Sequence, residues 1–479
     1  MSTVDKRYVA RTPAPFGSES ENQLSPPTPI PFNVESKDQP LASTSALSGQ
    51  KSKDQPLAPV FPQPNQETAN TTSLPHQRQS EVRAGSHSAF IARQGLGTRA
   101  VHGGNDVDAE TRAIRRPITM ANSYELPFDS TRLNWSAASG MVYTRNGGAN
   151  QLWLEEKIAA LEGAESCVVL ASGVAAIAAV LLTFLRTGDH LVVSDNSYIA
   201  TYRLAEELLP EKFGITSTLV DSRDLVAVRQ ALRPNTRLIL IETPANPTLK
   251  ISDIAGCARI AQGAGVLLAV DSTFASPYNQ RPLELGADLS LQSLTKYING
   301  HGDALGGAVS GSTDLIAKIK AEAMVNLGGA ISPFNAWLIQ RGSVTLALRM
   351  RQHNESGLRI AQWLKGRKEV SFVAYPGLSD SINHTVASQQ MPGGFGGMLA
   401  FGLAANAERC NYFVSRLQLI TNAVSLGHDE SLIAYIGPND ERQHLYPPEF
   451  QAGFFRLSIG LEDAGDLLSD LTQALAASF

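Results

Sequence analysis

The chain has 479 residues, 43% of them hydrophobic and 18% charged, with a formal net charge of −5. That length suggests about three units of ~150 residues, and the apolar fraction excludes a chain disordered throughout. The mildly acidic balance gives no electrostatic case for nucleic acid or an anionic membrane as partner, while three widely spaced cysteines, Cys167, Cys257 and Cys410, exclude a disulfide scaffold and fit a reducing, cytoplasmic setting.

Lys6, Arg7 and Arg11 are not followed by an apolar run, so no secretory signal is expected. Residues 1–88 are rich in Pro, Ser, Thr, Gln and Asn. Such a segment cannot bury enough apolar surface to offset the entropy of ordering it, and it is expected to be a disordered tail. Inside it SKDQPLA occurs at 36–42 and again at 52–58, too short and too polar to be a stacking repeat. Residues 89–150 are expected to form an N-terminal arm. Leu152, Leu154, Ile158 and Leu161 stand at helical spacing and predict an amphipathic helix within 145–161. The apolar stretch 167–185 is about as long as a bilayer span, but Ser172-Gly173 interrupts it and Glu162, Glu165, Arg186 and Asp189 flank it. It reads as a strand, a turn and a buried helix.

Further strand-length runs follow at 190–194, 238–241 and 266–270, with a weaker one at 288–292. Apolar runs without polar alternation mark strands covered on both faces. They predict an α/β fold with a doubly wound, mostly parallel sheet in a large domain over 151–332. From Pro333 to about Lys368 the pattern predicts one long helix, straight or kinked, leading into a smaller α/β C-terminal domain at 333–479. Strands are expected there at 372–375, 398–403 and 454–459, with a closing helix at 463–475.

Ligands of open parallel sheets bind beyond the carboxyl ends of the strands, so the residues after each run are the candidates for chemistry. Ser172-Gly173-Val174 is a small turn feeding a helix N-terminus, where N–H groups and the helix dipole suit a phosphate; taken alone it is as readily structural. Asp271 ends an apolar strand and needs a partner to offset its desolvation, a role that a helix cap or an ion pair would also fill. Lys296 stands just past another strand, behind the hydroxyls of Ser293 and Thr295. A solvated lysine is the ordinary reading; the other is that the hydroxyls hold a phosphate while the amine attacks an aldehyde. Together these are the parts that hold pyridoxal 5′-phosphate (PLP): a Schiff-base lysine, an anion for the pyridine nitrogen and a phosphate cup. The nine histidines show no metal-ligand spacing, so no metal is expected, and His301, His353 and His428 are read as local hydrogen-bonding residues.

Seven strings occur in order: Val142-Tyr-Thr-Arg145, Leu170-Ala-Ser-Gly-Val-Ala-Ala-Ile177, Glu242-Thr-Pro-Ala-Asn-Pro247, Val270-Asp-Ser-Thr-Phe-Ala275, Ser293-Leu-Thr-Lys-Tyr-Ile-Asn-Gly-His-Gly-Asp303, Ser425-Leu-Gly427 and Arg456-Leu-Ser-Ile-Gly-Leu-Glu462. With them the chain from about residue 97 resembles the Cys/Met-metabolism, or trans-sulfuration, family of PLP-dependent enzymes. That family holds cystathionine γ-synthase, cystathionine β- and γ-lyases, methionine γ-lyase and O-acylhomoserine sulfhydrylases.

The resemblance implies the type I PLP-dependent transferase fold. It implies that Lys296 carries the cofactor and moves the substrate's α-proton, and that Asp271 pairs with the pyridine nitrogen. Gly173 and Val174 through their backbone, with Ser293 and Thr295, would hold the phosphate. Tyr198 would stack on the ring and assist the leaving group, and Asn246 would meet the phenolic oxygen. Arg456, helped by Ser425, would bind the substrate carboxylate. Tyr143 and Arg145 would reach the phosphate of a neighbouring subunit, which implies a homo-oligomer, a dimer of dimers. Three departures stand out: Asn146-Gly-Gly-Ala-Asn150 replaces a frequent Asn-Pro-Thr element, Ile199-Ala200 follow the tyrosine where Gly and a small residue or Cys are common, and Val174 stands where Met is frequent.

The implied activity is β- or γ-elimination, a carbon–sulfur lyase acting on cystathionine- or methionine-like amino acids. The alternative is γ-replacement on an O-acylhomoserine, by a cystathionine γ-synthase or a sulfhydrylase. A PLP aminotransferase or decarboxylase, and a non-catalytic protein of this fold, are the remaining readings.

Overall fold

A computed structural model describes residues 89–126, 128, 129, 131 and 141–479. The expected tail at 1–88 and its repeat lie outside the described residues. The helix expected within 145–161 is α1 (Ala149–Glu162); it starts after Gly148 and is not amphipathic, since Glu155, Lys157 and Glu162 are buried along with Leu154, Ile158 and Leu161. The span-length apolar stretch is β1 (Ser166–Leu170), a turn, and α2 (Gly173–Phe184), whose first turn is capped by Ser172 Oγ accepting the Ala175 N–H at 3.1 Å. Among the described residues no helix is long and apolar enough to cross a membrane.

The large sheet has seven strands in the order β1-β7-β6-β5-β4-β2-β3. They are β1, β2 (His190–Ser194), β3 (Thr216–Val220), β4 (Thr236–Glu242), β5 (Leu267–Asp271), β6 (Leu289–Ser293) and β7 (Gly307–Gly311). Successive side chains alternate between the two faces. Leu191, Val193, Leu238, Leu240, Leu289 and Leu291 pack with Ile177, Val180 and Leu181 of α2. The intervening Val192, Ile239, Leu268 and Val270 pack with Ile254, Cys257 and Ile260 of α3 (Ile254–Ala264). With both faces covered, neither set of positions tolerates polar residues, which is why the runs show no alternation.

A second sheet of five strands has the order β10-β11-β12-β9-β8, with β8 (Val370–Ala374), β9 (Met398–Leu403), β10 (Thr421–Asn422), β11 (Leu432–Ile436) and β12 (Phe454–Ser458). Phe401, Phe413 and Phe455 form its aromatic centre, Phe401 stacked on Phe455 at 5.0 Å.

Several elements differ from the sequence reading. The single helix expected from Pro333 is two, α4 (Pro333–Ser343) and α5 (Leu346–Lys365). Arg349 Nη2 donates to the Gly342 carbonyl (3.0 Å) and Nη1 to the Tyr297 carbonyl (2.6 Å), so one buried guanidinium serves carbonyls at the break and in the loop after Lys296. β3 escaped the reading because it is a partly exposed, Thr/Ser-rich edge strand, and β7 because Gly-Ala-Val-Ser-Gly has no apolar run. β7 is antiparallel to both β1 and β6 and so makes the sheet mixed.

β7 also sets the spacing of the site. Gly307 pairs with both Leu170 and Ser293, the last residues of its neighbours. A Cβ at 307 would overlap the Ser172 carbonyl and stand 3.0 Å from Gly173 Cα. Gly307→Ala is therefore expected to cost about 1–3 kcal/mol through overpacking. Thermal denaturation should show the lower Tm, and gel filtration after addition of PLP should show poorer cofactor retention than in the wild type.

Candidate active site

The carboxyl ends of β4, β5 and β6 are Glu242, Asp271 and Ser293, adjacent in the sheet. They form the floor of a cleft of about 490 Å³ whose far wall comes from the segment before β11 and from β12. Ser172, Gly173, Val174, Tyr198, Asn246, Asp271, Ser293, Thr295, Lys296, Ser425 and Arg456 all line it. Eleven of the thirteen residues singled out from sequence for the site are thus brought together. Tyr143 and Arg145 are not: Tyr143 is 41% exposed, and the Arg145 guanidinium lies 5.1 Å from its ring centroid, away from their own chain's cleft.

The floor holds two carboxylates. Glu242 and Asp271 are register partners on parallel strands, so they point to the same side. Asp271 Oδ1 accepts the Thr273 N–H (3.0 Å) and hydroxyl (2.6 Å). Glu242 accepts the Tyr198 N–H at 2.6 Å on Oε2 and the Asn246 N–H at 2.7 Å on Oε1. Burial raises Asp271 from its ordinary value and Glu242 well above its own, and Asp271 raises Glu242 further. Two such groups side by side call for a retained proton or an entering cation, since uncompensated burial costs several kcal/mol.

Lys296 stands across from this pair. Its Nζ donates to Ser425 Oγ at 2.7 Å. Burial, with the nearby Arg456 adding to it, lowers the amine to about 8. A larger share is then neutral near physiological pH than for a solvated lysine. Ser425 itself has φ +85°, in the left-handed region that a residue with a Cβ rarely occupies. In that conformation its hydroxyl meets Lys296 and its carbonyl accepts Arg456 Nη2 at 3.0 Å. Arg456 on β12 also donates from Nη1 to Asn246 Oδ1 (3.2 Å), which leaves the Asn246 NH₂ as a donor for the cleft.

At the other end, the first turn of α2 faces Ser293. A Cβ on residue 173 would stand 2.8 Å from Ser293 Cβ and 2.9 Å from its Oγ, so only glycine leaves room between the helix start and the hydroxyl. Thr295 Oγ1 accepts the Gly306 N–H at 3.1 Å, fixing its loop against the start of β7.

Sequence reasoning missed two contributors. Glu242 carried the same signal as Asp271, a carboxylate ending an apolar strand. Arg442 lines the cleft and carried no motif. Its Nη1 donates to the Ser197 carbonyl (2.7 Å), and Asp440 holds its Nε and Nη2 at 3.2 Å. The three histidines make local hydrogen bonds as expected: His301 Nδ1 with the Asn299 carbonyl, His353 Nδ1 with the Ile459 carbonyl, and His428 Nε2 with Ser425 Oγ.

This donor set fits PLP. A pyridinium would be the cation that the paired carboxylates lack, the Lys296 amine is a nucleophile for an aldehyde, and a glycine-spaced helix start beside Ser293 suits a phosphate.

The comparisons point the same way. The family model described as Cys/Met metabolism PLP-dependent enzyme matches residues 97–476. A canavanine gamma-lyase of Rhizobium leguminosarum bv. trifolii (strain WSM2304) is 53% identical over 387 residues, covering 80% of this chain and 96% of its own. An L-methionine gamma-lyase of Pseudomonas putida is 40% identical over 397 residues, covering 80% of this chain and 98% of its own. The crystal structure of a cystathionine gamma-lyase from Lactobacillus plantarum, complexed with L-serine, superposes with a TM-score of 0.73 at 38% identity, over 80% of this chain and 99% of that one.

Attack on the PLP aldehyde requires the neutral amine. Reconstitution of cofactor-free protein should therefore accelerate with pH and level off above about 8, not near the value of a free lysine. Stopped-flow absorbance reads this directly. Lys296→Ala should lose the visible band of the attached cofactor at every pH.

Proposed function

The chain belongs to the Cys/Met-metabolism family of PLP-dependent enzymes, and on that premise we propose that it acts as a γ-lyase, expelling a heteroatom substituent from the γ-carbon of an α-amino acid. The chemistry of the class is PLP-dependent β/γ-elimination, including carbon–sulfur cleavage. The identity of the leaving group is our proposal. Relatives named canavanine gamma-lyase are 52–53% identical and those named methionine or cystathionine gamma-lyase at most 40%. That difference supports a γ-oxygen substituent such as the guanidinooxy group of canavanine ahead of a thioether.

One observation carries the reading. A single residue, Ser425, ties the proton-moving amine to the carboxylate-binding guanidinium, through its hydroxyl and its carbonyl. When bound, PLP supplies the carbonyl that captures the substrate amine and the electron sink that acidifies Cα. The protein's part is positional. Arg456 binds the α-carboxylate with a planar fork. Lys296 then takes the proton from the carbon held beside it. Asp271 keeps a positive charge on the ring nitrogen, and Glu242 holds the Tyr198 and Asn246 segments at a fixed separation by binding both their N–H groups. Tyr198, 40% exposed on the cleft wall, is placed to donate its hydroxyl proton to a departing atom. Ile199, Leu305, Val424 and Ile436 give that wall the apolar surface an aliphatic Cβ–Cγ chain requires.

Tyr143 and Arg145, which do not line their own cleft, support assembly with a second copy whose site they would complete. The buried free thiols Cys167, Cys257 and Cys410 support a cytoplasmic location.

The test is a substrate panel: canavanine, methionine, cystathionine, cysteine, and O-acetyl- or O-succinylhomoserine with and without a thiol, with products identified by mass spectrometry. Release of the γ-substituent from canavanine, faster than from the thioethers, is the expected result. Thioether formation only when thiol and acylhomoserine are both present would replace it with γ-replacement. Arg456→Ala should raise KM by about one and a half to three and a half orders of magnitude, from loss of a buried charged contact of ~2–5 kcal/mol, while the cofactor band persists.

A further inference from the structure

Ser425 has a second partner on its far side. Its hydroxyl lies 2.7 Å from Lys296 Nζ and 3.0 Å from His428 Nε2. The amine donates to Oγ, whose own proton reaches Nε2 when that nitrogen carries the lone pair, the Nδ1–H tautomer on which the relay depends. The turn that brings the imidazole round passes through Gly427, at φ +68°. His428 is half-buried and rests on Gly302, where a Cβ would stand 3.0 Å from its Nδ1. The charged groups that bear on the ring are Lys296 and Asp429. Asp429, whose carboxylate also engages Glu430 and faces Arg349, keeps a buried Oδ1 without a hydrogen-bond partner among the described residues, and its charge favours the protonated ring.

We propose that His428 is the outer end of a proton relay, running from Lys296 Nζ through Ser425 Oγ to His428 Nε2, which passes the proton taken from the substrate's α-carbon out to solvent. The step balances. A proton leaves the Lys296 ammonium for Ser425 Oγ as the original hydroxyl proton moves to His428 Nε2. The imidazolium then releases its Nδ1 proton to water, leaving the Nε2–H form; Nδ1 regains a proton from water as Nε2 gives its own up to water, which restores the resting tautomer with one proton delivered to solvent. The relay matters because a cleft filled by cofactor and substrate leaves the amine little direct access to water. His428 does not line the cleft and acts through Ser425, as a positioning and proton-passing residue. The proposal rests on the reading of Lys296 as the base that works on Cα.

The test uses the cofactor-loaded full chain and an amino acid with no leaving group, L-2-aminobutyrate, in D₂O, with α-hydrogen exchange followed by proton NMR. Wild type should exchange. His428→Ala should slow exchange about tenfold or more at unchanged cofactor absorbance and unchanged aminobutyrate affinity, and added imidazole should restore it. His428→Asn separates relay from scaffold, since its carbonyl can still accept the Ser425 hydroxyl but cannot pass a proton on. Slow exchange in this variant supports the relay, and a wild-type rate overturns it. Independently of turnover, ¹⁵N-histidine NMR should show His428 as the Nδ1–H tautomer, with an Nε2 shift that moves in Ser425→Ala. An Nε2–H tautomer sinks the proposal. Failure of wild type itself to exchange would instead remove Lys296 as the base, and the relay with it.

Discussion

Two carboxylates side by side at the buried ends of neighbouring parallel strands are the constraint around which this site is built. Like charges so placed are mutually repulsive and poorly solvated. Glu242 offsets its cost by spending both oxygens on backbone N–H groups, those of Tyr198 and Asn246. It thereby becomes the joint between two loops that come from different strands. Asp271 keeps only Thr273 as a local donor to Oδ1, so its unmet demand is for a cation. A cofactor with a basic ring nitrogen satisfies that demand, and the amine and guanidinium across the cleft follow from what such a cofactor needs opposite it.

The catalytic floor was legible in the sequence because its physics is local. A carboxylate or lysine directly after an apolar run must be explained, and Asp271 and Lys296 were found that way. Glu242 carried the identical signal. It was quoted within a motif without a role because the sequence does not show that its strand lies next to the one ending in Asp271. The apolar strands named from sequence were legible to within a residue or two, although β11 (Leu432–Ile436), equally apolar, was not named. β3 and β7 were not, since one lies at a half-exposed edge and the other is made of small residues whose place is set by neighbours rather than by hydrophobicity.

The far wall was legible only in part. Arg456 was reached through the motif that surrounds it. Arg442 depends on a loop whose shape is set by tertiary bonds: its own to the Ser197 carbonyl, and that of Asn196 Nδ2 to the Leu445 carbonyl at 3.0 Å. No periodicity announces such a contact. The break between α4 and α5 is of the same kind, because the carbonyls that Arg349 binds belong to segments some fifty residues apart in the chain, an arrangement invisible to a helix-length window. The His428 imidazole is an intermediate case. A hydroxyl and an imidazole three residues apart around a glycine were visible, and their significance was not until Lys296 was placed beside the hydroxyl.

The left-handed backbone at Ser425 carries one further consequence. Because one residue holds both Lys296 and Arg456, the groups proposed to take the hydrogen and the carboxylate, two of the four substituents on the substrate's central carbon would be assigned their places before the third arrives. The ring claims the nitrogen, and the side chain is left with the remaining direction. Under those proposed assignments only one enantiomer would meet all of them at once, and the handedness of the reaction would rest on one serine held at φ +85°.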